Sequence, residues 1–157
     1  MEHRKMKHLN IFHNLHHICI VVRNIEVAEA YYESIGIGPW HDYPPLDAFR
    51  SELDVPDVDA FFKLRYRYAN LENFQIQLCE PSEGNSKQRQ FLETRGEGVF
   101  HLGFTVPDCD KAEKLGIESG LQTLMRGRRP DRSGFTYFDT LENGAGVTLE
   151  IRASAIQ

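Results

Sequence analysis

The sequence predicts an α+β fold in which two tandem βαβββ modules join into one concave, half-barrel-like mixed sheet. Length and an internal repeat carry that prediction. At 157 residues the chain suits one compact domain. Within it, Leu15-His16-His17-Ile18-Cys19-Ile20-Val21-Val22-Arg23-Asn24 overlays Val99-Phe100-His101-Leu102-Gly103-Phe104-Thr105-Val106-Pro107-Asp108 at an offset of 84 positions, and the same offset pairs Gly36 with Gly120. Three landmarks at one spacing mark a duplicated unit.

Each copy opens with a β-rich strand and then supplies Asn24 or Asp108 as a helix N-cap. About three turns of helix follow, Ile25 to Ile35 in the first copy and Cys109 to Ser119 in the second, with Gly36 and Gly120 as the stops. Three more strands are predicted in each copy. In the first they lie around Pro39 to Tyr43, Phe61 to Tyr68 and Asn73 to Glu80. In the second they lie around Gln122 to Arg128, Phe135 to Leu141 and Val147 to Arg152, with Glu142-Asn143-Gly144 as a hairpin turn. The first copy is longer after its helix, and the surplus falls in the Pro- and Asp-rich stretch Pro44 to Asp59, which reads as a long loop able to cover a site. Between the copies, Lys87 to Thr94 reads as a short helix ended by Gly96. The domain plan is a tail at 1–14 and a single domain at 15–157, containing a first module at 15–81, a connector at 82–98 and a second module at 99–153.

Composition narrows the function. The formal net charge is −5, from 18 basic and 23 acidic residues, so the chain offers no general phosphate-binding surface and nucleic acid is a poor partner. No apolar run nears the roughly 20 residues of a membrane span, and the start lacks a signal-peptide core; neither a membrane nor secretion is expected, and a cytoplasmic location is. Cys19, Cys79 and Cys109 are odd in number and widely spaced, which predicts reduced thiols serving as small apolar filler.

Strand alternation then points to chemistry. Successive residues face opposite sides of a strand, so Ile18, Ile20 and Val22 oppose His17, Cys19 and Val21, while Phe74, Ile76 and Leu78 oppose Gln75, Gln77 and Cys79. Likewise Phe100, Leu102, Phe104 and Val106 oppose His101, Gly103 and Thr105, and Val147, Leu149 and Ile151 oppose Thr148, Glu150 and Arg152. With helices over the apolar sets, the inner face carries His17, Gln77, His101 and Glu150. A lone strand histidine packs into a core more often than it binds metal, but two imidazoles, an amide oxygen and a carboxylate on equivalent strands form a donor set for one divalent ion such as Co, Mn, Zn, Ni or Fe. His16 falls on the apolar side by the same alternation.

These residues carry a family resemblance. His17 in LHHICIVV, Gln77 in FQIQLCEP, His101 in GEGVFHLGFTV and Glu150 in GVTLEI, set in paired βαβββ units from Leu15 to Ala153, resemble the vicinal oxygen chelate superfamily, which includes glyoxalase I, bleomycin-resistance proteins, extradiol dioxygenases and methylmalonyl-CoA epimerase. FLETRGEGVFHLGF, preceded by QLCEP, is most similar to the methylmalonyl-CoA epimerase branch, whose metal site is also two His, one Gln and one Glu. The resemblance implies a small-molecule substrate, an acyl-CoA or another compound with vicinal oxygens, a homodimer, and an epimerase or isomerase acting through a metal-stabilised enolate. Glu150 then doubles as metal ligand and catalytic base. For the second acid found in that branch upstream of the Gln ligand, Glu52, Asp54, Asp57 and Asp59 are the candidates here.

The same residues allow other chemistries. His17, His101 and Glu150 alone form a two-His, one-carboxylate triad suited to Fe(II) and O₂, as in an extradiol-type dioxygenase, whereas Gln77 as a ligand fills a position that oxygen chemistry needs open. A glyoxalase-type lyase and a small-molecule-binding resistance protein complete the alternatives, the last disfavoured by a full ligand set. Among lesser features, Arg126, Arg128, Arg129 and Arg132 form a basic cluster with phosphate- or carboxylate-binding potential. Trp40 and Tyr43 are candidate pocket residues, Tyr137 offers a hydroxyl, and His3, His8 and His13 sit in the tail.

Overall fold

A computed structural model describes residues 9–155; His3 and His8 lie outside the described residues. Along the chain run β1 (Leu15–Val21), α1 (Ile25–Ser34), β2 (His41–Asp42), a 3₁₀ turn (Leu46–Phe49), β3 (Glu52–Asp54), α2 (Val58–Phe62), β4 (Arg65–Asn70), β5 (Gln75–Glu80), α3 (Lys87–Arg95), β6 (Gly98–Thr105), α4 (Cys109–Glu118), β7 (Gln122–Arg128), β8 (Gly134–Asp139) and β9 (Thr148–Ala153).

Duplication shows in the backbone itself. Asn24 and Asp108 cap α1 and α4 with near-identical dihedrals, φ/ψ of −139°/105° and −140°/108°, each side chain accepting a hydrogen bond from the backbone N–H three residues on. Gly36 and Gly120 both stop their helices at φ +98°, a left-handed conformation that glycine adopts without a Cβ penalty.

One mixed sheet results, ordered β2-β4-β5-β1-β6-β9-β8-β7-β3. Its centre is the antiparallel β1–β6 pair, flanked by the parallel pairs β1–β5 and β6–β9. Register gives the repeat a residue-level equivalence: His17 lies opposite Gln75 and Cys19 opposite Gln77, while His101 lies opposite Thr148 and Gly103 opposite Glu150. Gln77 and Glu150 therefore occupy the same place in the two halves.

The outer face is covered as alternation predicts. Ile25, Ala28 and Tyr32 of α1 pack over Ile20, Val22, Ile76 and Leu78, and Cys109 and Ala112 of α4 pack over Phe138 and Ile151. Trp40 belongs to the first of these clusters and donates its Nε1–H to the Ile37 carbonyl at 2.9 Å, so it packs in the outer covering layer. The tail expected at 1–14 is packed from residue 9, where Leu9, Ile11 and Phe12 join the α4 cluster.

The inner face differs from the expected polar lining. Cys19, Val21, Cys79 and Phe100 pack there with Met125, Phe135 and Tyr137, and with Phe49, Phe61 and Leu64 from the segment between β2 and β4. That segment is more ordered than a loop. Asp57 caps α2, so Phe61 is helical and β4 starts at Arg65 instead of Phe61. Strand β3 pairs antiparallel with β7 at the far edge, which carries the stretch after β2 across the open side of the curled sheet.

Candidate metal centre

Three of the four donors converge. His17 Nε2 lies 2.8 Å from His101 Nε2 and 2.9 Å from Glu150 Oε1, and His101 Nε2 lies 3.6 Å from that oxygen. All three residues are buried, and their donor atoms fall within 4.8 Å of one another. Gln77, 2% exposed, lines the same cavity of about 40 Å³ as His17 and Glu150. Its amide nitrogen donates to Gln75 Oε1 at 3.2 Å, leaving the carbonyl oxygen as the end available to a cation.

Local structure positions these groups. β1 and β6 supply His17 and His101, and β5 and β9 supply Gln77 and Glu150, so all four donors come from the two central strands and their parallel neighbours. Gly103 faces His17 across the β1–β6 pair; a Cβ there would stand 2.1 Å from the imidazole Cε1. Glycine thus makes the recess that the His17 ring fills. Behind the ring, His17 Nδ1 meets His16 Nδ1 at 2.8 Å, a hydrogen bond that fixes the ring and leaves Nε2 for the cluster.

Charge suits a cation. Burial, reinforced by His17, lowers His101 to about 3 although Glu150 opposes it, so the imidazole is neutral. For Glu150 burial works upward, yet His17 and His101 beside it prevail and hold the carboxyl at about 2. Glu150 Oε1 and His101 Nδ1 are nonetheless buried with no hydrogen-bond partner, a costly state for polar atoms. Metal–ligand bonds of roughly 2.0–2.2 Å meeting at right angles place ligand atoms about 3 Å apart, which is the spacing between His17 and each of its two neighbours. By donor chemistry and by spacing, His17, His101 and Glu150 fit one divalent ion, and Gln77 lines the same cavity.

The remaining wall is aromatic. Tyr43, Leu46, Phe49, Phe61, Tyr66, Phe135 and Tyr137 line the cavity with Arg129 and Arg152. Tyr137 packs edge-on to His101 with ring centroids 4.8 Å apart. Burial and the nearby Glu150 push its hydroxyl well above the usual range, keeping it protonated.

Several expectations need correction. None of Glu52, Asp54, Asp57 and Asp59 lines the cavity. Glu52 pairs with Arg126 and Arg132 at the β3–β7 edge, and Asp57 is the α2 cap. The basic cluster is also largely occupied: Arg128 is fully buried between Asp110 and Glu113, Arg126 reaches Glu113 and Glu52, and Arg132 reaches Asp110 and Glu52. Only Arg129 of the four reaches the cavity. His16 borders the site instead of the outer face, because a register shift between Leu15 and His17 breaks the alternation there. The second shift, between Cys19 and Ile20, lies opposite Phe100 and turns that ring inward. All three cysteines are free and buried, as expected.

A sequence model of the glyoxalase/bleomycin resistance protein/dioxygenase superfamily matches residues 16–138. The chain belongs to this superfamily. Among solved structures, methylmalonyl-CoA epimerase from Mycobacterium tuberculosis is similar at 21% identity, covering 96% of this chain and 96% of that one with a TM-score of 0.68. A Streptomyces coelicolor methylmalonyl-CoA epimerase variant in complex with 2-nitronate-propionyl-CoA is similar at 20% identity, covering 90% and 94% with a TM-score of 0.69. A methylmalonyl-CoA epimerase in complex with methylmalonyl-CoA and NH4⁺ gives the same identity, coverages and score. No curated protein sequence matches. At these identities the solved structures establish the shared vicinal oxygen chelate fold.

Proposed function

We propose that the protein is a divalent-metal-dependent enzyme of the vicinal oxygen chelate type, an epimerase or isomerase that removes and returns a proton α to a carbonyl. The observation that carries this reading is the buried convergence of two imidazoles and the Glu150 carboxylate beside Gln77. A bound divalent ion supplies Lewis-acid stabilisation of the negative charge that grows on the carbonyl oxygen as the proton leaves. One anionic ligand among neutral ones leaves the centre a net charge near +1, which preserves that pull.

The chain's own residues do the rest. His17, His101, Gln77 and Glu150 hold the centre, and Glu150 takes the proton on its side of the substrate. Leu46, Phe49, Phe61 and Phe135 line the cavity and exclude water, which strengthens electrostatics inside. No second carboxylate lines the cavity among the described residues; the Tyr137 hydroxyl, protonated and carried on the strand next to Glu150, is the candidate second proton donor. The substrate class is an acyl thioester or another compound with vicinal oxygens, and the protein acts as a homodimer.

Metal content by mass spectrometry, on the full chain and on Gln77→Ala and Glu150→Ala, joined to solvent deuterium exchange at the α-carbon of 2-methylacyl and 2-hydroxyacyl substrates, tests the reading. About one ion per chain, weakened in both variants, and exchange by the loaded protein support it. No exchange with any such substrate overturns it. A second reading rests on the fact that His17, His101 and Glu150 cluster without help from Gln77: iron retained by Gln77→Ala, with O₂ uptake on catechols, favours dioxygenase chemistry. Absence of bound metal in every preparation favours a binding protein.

A further inference from the structure

The mouth of the cavity carries two arginines that the metal chemistry does not use. Arg129 and Arg152 line the metal cavity, and both also line a shallower cleft beside it, with His16, Tyr43, Tyr68 and Gln75. They stand where the inner cavity opens.

Six of the eleven arginines among the described residues of this acidic chain have carboxylate partners, and Arg23, Arg50, Arg95, Arg129 and Arg152 do not. Arg65, Arg67, Arg89, Arg126, Arg128 and Arg132 are each ion-paired. Arg152 has no side-chain hydrogen bond or close ion pair among the described residues; its charge reaches Glu150, the one carboxylate lining its cavity, whose Oε1 lies against His17. Arg129 lies over the Phe49 ring at 4.4 Å and donates from Nη1 to Ser133 Oγ at 3.2 Å. That stacking holds the guanidinium plane in place and leaves most of its N–H groups open.

The repeat sharpens the point. Cys79 lies opposite Val21 in the first module, and Arg152 lies opposite Thr105 in the second. Because Val21 and Thr105 correspond at the 84-residue offset, Arg152 occupies the place of Cys79, a fully buried thiol. One half fills this position with an apolar atom and the other with a cation at the cavity mouth, a departure that packing does not demand.

We propose that Arg129 and Arg152 form an oxyanion subsite, so that the substrate carries a carboxylate or phosphate that docks at the mouth while its vicinal oxygens reach the metal ligands. The inference deepens the enzymatic reading and names the substrate class as anionic. Guanidinium forks match both oxyanions bidentately. Docking there would hold the substrate's orientation and leave the inner cavity to the few atoms that react.

Anion binding by chelator-treated, metal-free protein at pH 7.5 tests the subsite apart from any turnover. Calorimetric titration with malonate and with inorganic phosphate, and with malonamide as the uncharged control, should show saturable binding of at least one anion and none of malonamide. Malonate alone identifies a substrate carboxylate and phosphate alone a substrate phosphoryl group. Arg152→Gln and Arg129→Gln should each weaken binding about tenfold or more, since a hydrogen bond to a charged group is worth roughly 1.5–3 kcal/mol; Arg152→Lys should recover part of the affinity. Circular dichroism identifies any variant that has not folded, and Arg152→Lys then serves in its place, expected to bind more weakly than the parent. Equal affinity in the parent and both glutamine variants, or no binding of either anion, overturns the proposal. Lack of deuterium exchange would overturn the enzymatic reading and leave this binding result intact.

Discussion

Gly103 and His17 face each other across the central strand pair, and the imidazole occupies the space that any other side chain at position 103 would take. Gly103→Ala should therefore push the ring off the cluster without straining the backbone, since Gly103 is not among the positive-φ glycines. A misplaced ligand ring should weaken metal binding roughly 10–100-fold, the scale seen when residues supporting a ligand are altered. Competition against a chromophoric chelator measures this; unchanged affinity would show that the recess is not what places His17.

Metal should also report on stability. Saturating divalent ion at about 100 times its dissociation constant should raise unfolding free energy by about 2.7 kcal/mol, an increase in Tm of several degrees for a domain of this size. Chelator should reverse the shift, and Glu150→Ala or His101→Ala should abolish it. Differential scanning fluorimetry with and without chelator checks the effect, and an equal shift in the variants would move the site elsewhere.

Acid should destabilise the metal-free protein earlier than it does most domains. His101 is lowered to about 3 and His16 to about 4, both by burial first, from 6.5. Below pH 6.5 the unfolded chain binds these protons before the native state does, so stability falls as pH drops toward the folded values. His101 alone contributes a slope of up to about 1.4 kcal/mol per pH unit, and the more exposed His16 adds a smaller share. Below pH 4.5 Glu150, held at about 2, acts in the same direction. Urea midpoints at pH 7 and pH 5 test this, and a flat profile would contradict it.

Arg128 anchors the second module. It is fully buried and donates to Asp110, Glu113, Thr136 Oγ1 and the Phe135 carbonyl. Arg128→Met would leave half-buried Glu113 with Arg126 as its one cationic partner beside the Thr136 hydroxyl and should cost about 3–5 kcal/mol. Denaturant unfolding reads the loss; a cost below about 1 kcal/mol would show that the network relaxes around the gap.

Much of this architecture was legible because it is local or repeated. The caps Asn24 and Asp108, the stops Gly36 and Gly120, and the 84-residue offset fix both modules and pair His17 with His101. Alternation brought Gln77 and Glu150 to the same face. It failed at His16 and Phe100, where each register shift inserts one residue and reverses the facing, an event that depends on the partner strand. The segment after β2 was illegible for a related reason: Glu52–Asp54 is a strand only because β7 lies beside it. The arginines looked free since the chain separates Arg126 and Arg132 from Glu52 by 74 and 80 positions.

Strands β2 and β3 are neighbours in sequence but lie at opposite ends of the sheet. The nine residues from Tyr43 to Ser51 are thus a chord drawn across an arc of strands, with a reach of at most about 30 Å when fully extended. A chord of set length fixes how tightly the arc bends, and Leu46 and Phe49 hang from it into the cavity. Insertions or deletions along this one stretch would re-scale the chamber while every proposed metal ligand stayed on its strand. Substrate size and metal chemistry are, in this design, separately adjustable traits.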